Sequence, residues 1–252
     1  MALDIAGLGI GDEPSLHMGV IRKMGDYDMI FLELYTSPTL YTREDVKSLV
    51  EREVYEVNRR VLEEGSDQFL NLCKAKNVLL LVPGDPLTAT THKSLVIEAR
   101  RNGIDVRIYH NTSIYTAAIG EAGLDIYRVG ASGTIMRGGV EVNMRNHRIL
   151  NVNYQLSLHT FYFLEYSRED GYVMDVYEGI EELSKDERSL SILDSEDTYI
   201  IGMTWVGTTK QQIRVFENTS EVDGLPKKAP SVIVIAANPH FTEKEYLLTL
   251  KR

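Results

Sequence analysis

Only one cysteine, Cys73, occurs in the 252 residues. An internal disulfide is impossible, and a reducing, cytoplasmic setting is expected. Cys73 stands at helical spacing from Phe69 and Leu70, which predicts a core thiol rather than a nucleophile. No apolar run approaches the ~18 residues that a membrane span needs. The opening MALDIAGLGIGDEP has no basic stretch before its apolar residues, so no signal peptide is expected. Positive charge is scarce too: 27 Lys and Arg face 37 Asp and Glu, a net −10. That argues against general nucleic-acid binding, which needs a cationic surface to displace counterions. The six histidines lack metal-ligand spacing. No Walker loop, nucleophile elbow or H-E-x-x-H pair occurs.

What is present describes an ordinary globular chain, 43% hydrophobic and 25% charged. Its length allows one or two domains with a sizeable core. The first half alternates strand-like and helix-like segments. LDIAGLGI, MIFLELY, VYEV, NVLLLV and DVRIYH read as strands. SLHMGVIRKM, REDVKSLVERE, VLEEGSDQFLNLCKAK and HKSLVIEARRNG read as helices. This alternation predicts an α/β fold with a largely parallel sheet. Near Gly130–Gly133 the pattern changes. TIMR, HTFYFLEY, TYIIGMTWV, QIRVFE and SVIVIAA follow one another with one clear helix, VYEGIEELSKDERSL. A second α/β domain with a more antiparallel sheet is expected, giving domains 1–132 and 133–252.

Three strand ends carry candidate chemistry. Gly7-Leu8-Gly9-Ile10-Gly11 closes the first strand, and Asp12 occupies the place of a third dinucleotide-type glycine. Glu33, at the next strand end, could imitate the ribose-binding acid of such a site. The second candidate is VPGDPLTATTH. Pro83 and Pro86 fix their own φ and lack amide hydrogens. Gly84 lets the backbone turn and lets a ligand approach. Asp85 can either cap the following turn or meet a polar ligand. The third is HNTSIYTAAIGEAG, in which Ser113 is a candidate N-cap with free N–H groups behind it. In an open α/β sheet, loops at the carboxyl ends of strands are where ligands sit.

Together these segments resemble the diphthine synthase family, within the S-adenosylmethionine-dependent tetrapyrrole methylase superfamily. The resemblance rests on GLGIGDEPSLHMG, LELYTS, VPGDPLTATTH, HNTSIYTAAIGEAGLDIYRVG and LHTFYFLEY, with PSVIVIAANPHFTEKEYL similar in pattern. It implies two α/β domains of the tetrapyrrole methylase type, a homodimer, and S-adenosylmethionine in the interdomain cleft. It also implies that the amine of an aminocarboxypropyl-histidine on translation elongation factor 2 is methylated, in diphthamide biosynthesis. No metal, nucleic acid or membrane enters that chemistry. The family's cofactor positions fall on Ile10, Asp85, Thr88, Ser113, Ile114, Leu164, Val206 and Ser231. Asp85, His92 and His159 are the candidate bases for the amine. The chain departs from the family pattern at Ser231, where a histidine is usual, and at Trp205, near which relatives carry an arginine. Residues 134–157 depart most. Two further readings stand beside this one: a superfamily methylase acting on a small molecule such as a corrinoid precursor, and, supported by these departures, a non-catalytic cofactor-binding relative.

Overall fold

The computed structural model describes residues 1–251, and by its contacts the chain divides between Ile114 and Tyr115. The change of strand pattern near Gly133 lies further on. The intervening residues form a helix and a 3-10 turn but no strand, so strand pattern alone cannot assign them.

The first unit comprises β1 (Ala2–Gly7), α1 (Met18–Ile21), β2 (Met29–Glu33), α2 (Arg43–Val50), β3 (Tyr55–Val57), α3 (Ser66–Ala75), β4 (Val78–Val82), α4 (His92–Arg101) and β5 (Asp105–Tyr109). Its five strands are all parallel, in the order β3-β2-β4-β1-β5. β4 is buried at every position. Val78, Leu80 and Val82 pack into one cluster with Phe69, Leu70, Cys73 and Leu95. Leu79 and Leu81 pack into the other with Leu32, Val46 and Val50. A sheet covered on both faces needs such an unbroken apolar strand. Cys73 is a core thiol, and burial pushes its pKa up to about 12. α2 starts at a capping box: Thr42 accepts from the Asp45 amide, and the Asp45 carboxylate accepts from the Thr42 amide.

The strand order creates a switch point. The chain leaves β1 towards β2 and β3, and leaves β4 towards β5 on the opposite side. The connections after β1 and β4 therefore run in opposite directions along the sheet, the kind of point at which open α/β sheets place ligands.

The second unit contains α5 (Ile114–Glu121) from its second residue on, β6 (Gly133–Ile135), α6 (Val140–Gln155), β7 (Thr160–Leu164), β8 (Tyr166–Ser167), β9 (Tyr172–Val173), α7 (Val176–Ser184), α8 (Glu187–Leu193), β10 (Thr198–Thr204), β11 (Gln212–Phe216), β12 (Ser231–Ala237) and α9 (Phe241–Leu250). Its main sheet runs β11-β10-β12-β7-β6, antiparallel except for the β6–β7 pair. Three helical expectations need correction. SLHMGVIRKM yields only the single turn of α1 and a 3-10 turn. VYEGIEELSKDERSL is two helices, because Asp186 caps a fresh start by accepting from the Ser189 amide. The longest helix, α6, lies in the divergent region 134–157, where the residue pattern predicts no helix.

α6 escapes an apolar-pattern search because much of its buried face is polar: Asn143, Asn146, His147 and Asn153 are all buried. The three asparagines act as a strand would. Asn143 accepts from the Met136 amide (3.1 Å) and donates to the Met136 carbonyl (2.7 Å). Asn153 does the same for Ala131, at 3.2 and 2.8 Å. Asn146 donates to the Thr134 carbonyl at 2.7 Å. From 143 to 153 a helix rises ~15 Å. From 136 back to 131 a strand covers ~16 Å, so the two repeats stay in step. Glycines admit the approach: a Cβ on Gly130 or Gly133 would stand 2.3 or 2.1 Å from an asparagine Oδ1.

Candidate functional site

Three loops meet at the carboxyl end of the parallel sheet. After β1 and β4 the two chains bridge each other in antiparallel sense: the Gly9 amide donates to the Gly84 carbonyl (3.2 Å), and the Gly84 amide to the Gly9 carbonyl (3.0 Å). Both glycines have positive φ, +70° and +66°, which L side chains rarely adopt. A Cβ built on Gly84 would lie 3.8 Å from Ile10 Cγ2 and 3.9 Å from the Thr112 carbonyl. Ile10, the Gly-Asp-Pro turn and the segment before Ser113 are thus neighbours. Asn111 ties the third loop to the first: its Nδ2 donates to the Gly7 carbonyl (2.9 Å) and the Ser15 carbonyl (3.2 Å).

Asp85 is the strut of this cluster. Its Oδ1 accepts from the Leu87 amide (3.0 Å) and the Thr88 hydroxyl (3.1 Å). Its Oδ2 accepts from His110 Nδ1 (2.7 Å) and the Asn111 amide (3.4 Å). Burial alone would raise its pKa, but the Leu87 amide, His110 and Thr88 outweigh that and hold the carboxyl below the ordinary Asp range. Asp85 therefore stays ionised, buried at 8% exposure, with both oxygens engaged inside the protein. The first two bonds are the local turn that the sequence allows. The two to residues 110 and 111 join separate loops, and no local pattern signals them.

Thr88 and Ile114 are half-buried in these loops, and Ser113 is buried just before α5. Glu33 has no freedom to imitate a ribose-binding acid. It is fully buried, its Oε2 accepts from the Tyr35 and Thr36 amides (3.0 and 3.1 Å), and its Oε1 accepts from the Thr36 hydroxyl. Burial raises its pKa despite His92 and those donors. His92 is equally buried. Its Nδ1 meets the Pro86 carbonyl at 3.1 Å, and its Nε2 stands 3.9 Å from Glu33, too far for a hydrogen bond. His92 thus braces the Gly-Asp-Pro turn from below.

In the second unit Leu164 ends β7, Ser231 begins β12 opposite Thr204, and Val206 follows β10. The antiparallel register puts all three at one end of that sheet. Val206 is buried, and the Ser231 hydroxyl donates to the Ala229 carbonyl at 2.7 Å. Beside Ser231, the fully buried Thr204 hydroxyl has no hydrogen-bond partner. Trp205 takes a left-handed φ of +51°, and its amide donates to the Pro230 carbonyl (3.0 Å). His159 is a structural histidine. It is fully buried, and its Nε2 bonds Glu243 Oε1 at 3.0 Å, while Glu243 also binds Arg128 and the Asp125 and His240 amides. No His, Cys, Asp or Glu group among the described residues is arranged to hold a metal ion. No helix among them is long and apolar enough to cross a membrane.

The loops thus offer backbone amides and carbonyls around a glycine bare of side chain, one pinned carboxylate and the exposed imidazole of His110. Residues 3–222 match the model of the tetrapyrrole (corrin/porphyrin) methylases. A diphthine synthase of Archaeoglobus fulgidus is 32% identical over 249 residues, covering 97% of this chain and 94% of that protein. One from Methanosarcina barkeri is 31% identical, covering 98% and 95%. A crystal structure of diphthine synthase superposes with a TM-score of 0.84 at 31% identity, covering all of this chain and 96% of its own.

Proposed function

The chain belongs to the tetrapyrrole (corrin/porphyrin) methylase family and is a methyltransferase of the diphthamide pathway, and we propose that it methylates the amine of the aminocarboxypropyl-histidine on translation elongation factor 2. The observation that carries this reading is the likeness to diphthine synthases over nearly the whole length of both chains. The methyl donor is S-adenosylmethionine, whose sulfonium makes its methyl group electrophilic, so the hard chemistry belongs to the cofactor. In the first unit Ile10, Asp85, Thr88, Ser113 and Ile114 are its proposed contacts. Leu164, Val206 and Ser231 are those of the second. The fit is by backbone groups: Gly84, at a φ of +66°, makes a turn that carries no side chain. The rest of the protein's task is to place an unprotonated amine, and proximity supplies much of the acceleration. A homodimer working in the cytoplasm is part of the same reading.

Two measurements test it. S-adenosylhomocysteine should bind in the micromolar range or tighter, with no comparable binding of NAD. Radioactive methyl should then pass to elongation factor 2 bearing the modified histidine. Label on a corrinoid precursor instead would replace the substrate. Binding without transfer to either would identify a non-catalytic relative.

A further inference from the structure

His110 has its ring in the open at these loops, as does His17 after β1, but His17 spends its Nδ1 accepting from the Gly19 amide whereas His110 pairs with a buried carboxylate. Its side chain is 66% exposed, while its partner, Asp85, is 8% exposed. The two meet at 2.7 Å through Nδ1 and Oδ2. Asp85 is ionised and accepts only, so Nδ1 must carry the hydrogen. The neutral ring then bears its lone pair on Nε2. A buried carboxylate that fixes the tautomer of an exposed histidine is how a general base is oriented.

The position suits that work. His110 immediately follows β5, next to Asn111 and Thr112 at the convergence of the three loops. The ionisable groups that the structure places around it are few: Asp85 from the loop after β4, Tyr109 on its own strand, and His17 and Lys23 against Tyr109. The other candidate bases are spent. Asp85 has both oxygens engaged, His159 is locked to Glu243, and His92 is 1% exposed beneath the turn.

We propose that His110, oriented by Asp85, is the general base that takes the proton from the acceptor's ammonium group. This rests on the methyl-transfer reading above. In the step, one N–H bond of the ammonium breaks and its proton moves to Nε2, giving an imidazolium beside the Asp85 carboxylate. The freed nitrogen lone pair forms the bond to the transferred methyl carbon. The carbon–sulfur bond breaks, and its electron pair stays on sulfur as a neutral thioether. Charge balances: a cation enters as ammonium and leaves as imidazolium, and the sulfonium charge passes to the methylated amine, which keeps two N–H protons and sheds one of them later.

The alternative role for His110 is a strut that supplies Asp85 with a donor. The variants His110→Asn and His110→Ala separate the two, because asparagine keeps an N–H at the Nδ1 position and has no basic nitrogen. Methyl transfer at about pH 7 should fall about 100-fold in both variants, within the usual range for general-base loss. S-adenosylhomocysteine affinity should stay within about threefold of the parent for His110→Asn. Activity of both should recover as pH rises above the acceptor amine's own pKa, where no base is needed. In the unaltered protein, ¹⁵N NMR should show the proton on Nδ1 of His110. Restoration of full activity by asparagine, a pH-independent deficit, or an Nε2–H tautomer would each overturn the assignment. A parent protein that never methylates the factor would instead remove the reading on which it rests.

Discussion

The carbonyl oxygen of Gly84 lies 2.3 Å from where a Cβ on Gly7 would stand, with Asn111 Cβ and Pro86 Cδ at 2.9 and 3.0 Å. All three neighbours belong to the loops that meet there, so the loop after β4 is seated against a backbone bare of side chain. Gly7→Ala must push these loops apart. Cofactor affinity should fall by at least tenfold while far-UV circular dichroism stays close to the parent's. Unchanged affinity would mean that the close approach has no bearing on the site.

Asp85 joins two loops, so its replacement should damage stability and binding together. Asp85→Asn turns one acceptor oxygen into a donor facing His110 or the Leu87 amide. A loss of about 1–3 kcal/mol is expected, the cost of leaving a buried hydrogen-bonding group unmatched. Urea melts and S-adenosylhomocysteine titrations of the same preparation check it. Loss of affinity with no loss of stability would make the carboxylate a ligand contact only.

Asn153 serves Ala131 twice and Thr160 once, the last at 3.0 Å. Asn153→Ala leaves a buried amide and carbonyl without partners and should cost about 2–4 kcal/mol. Asn153→Asp retains the acceptor but loses both donated bonds, so it should be no better. A midpoint shift in urea of less than ~0.5 kcal/mol equivalent would show that water replaces the side chain without penalty.

Burial lowers the pKa of both His147 and His159, although Asp186 and Glu243 respectively pull the other way. With folded pKa values below 6.5, each contributes stability that is present above that pH and lost as pH falls below it. The unfolded chain gains protons there that the native protein resists, giving about 1.4 kcal/mol per pH unit for each group at most. The urea midpoint should drop between pH 7 and pH 5.5. A flat profile across that interval would contradict the buried neutral state of both rings.

Glu33 runs the opposite way. Its folded pKa is raised by burial above the ordinary 4.5, so its contribution is full below that pH and lost as pH rises through the folded value. Glu33→Gln removes the charge and can keep an oxygen for the Tyr35 and Thr36 amides. The variant should gain stability over the parent as pH rises from 5 to 9. Thermal melts at both ends check the sign, and a variant that loses ground at pH 9 would show that the ionised carboxylate is the stabilising form.

Much of this architecture is legible in the residues because apolar burial writes itself as pattern. VLLLV is uninterrupted since β4 is covered on both faces, and the alternation of strands and helices before residue 110 follows the parallel sheet. α6 hides because its buried face is asparagine and histidine, which no hydrophobic period detects. α7 and α8 merge in the sequence since one residue, Asp186, makes the break. The strand-end loops stand out through glycine and proline. The Asp85–His110 pair does not, because 25 residues separate its members and their meeting depends on strand order. Cofactor positions in the second unit rest on resemblance alone, since Leu164 and Val206 carry no chemistry of their own.

The asparagines of α6 also decide what the second sheet can join. A parallel edge strand with bare amides and carbonyls is a template on which a foreign segment can lay itself. Here Ala131 and Met136 spend both groups, and Thr134 its carbonyl, on side chains of α6. Along this margin an incoming β-strand finds most of the ladder already taken, which hinders edge-to-edge aggregation there without the charges or prolines that usually guard such a border.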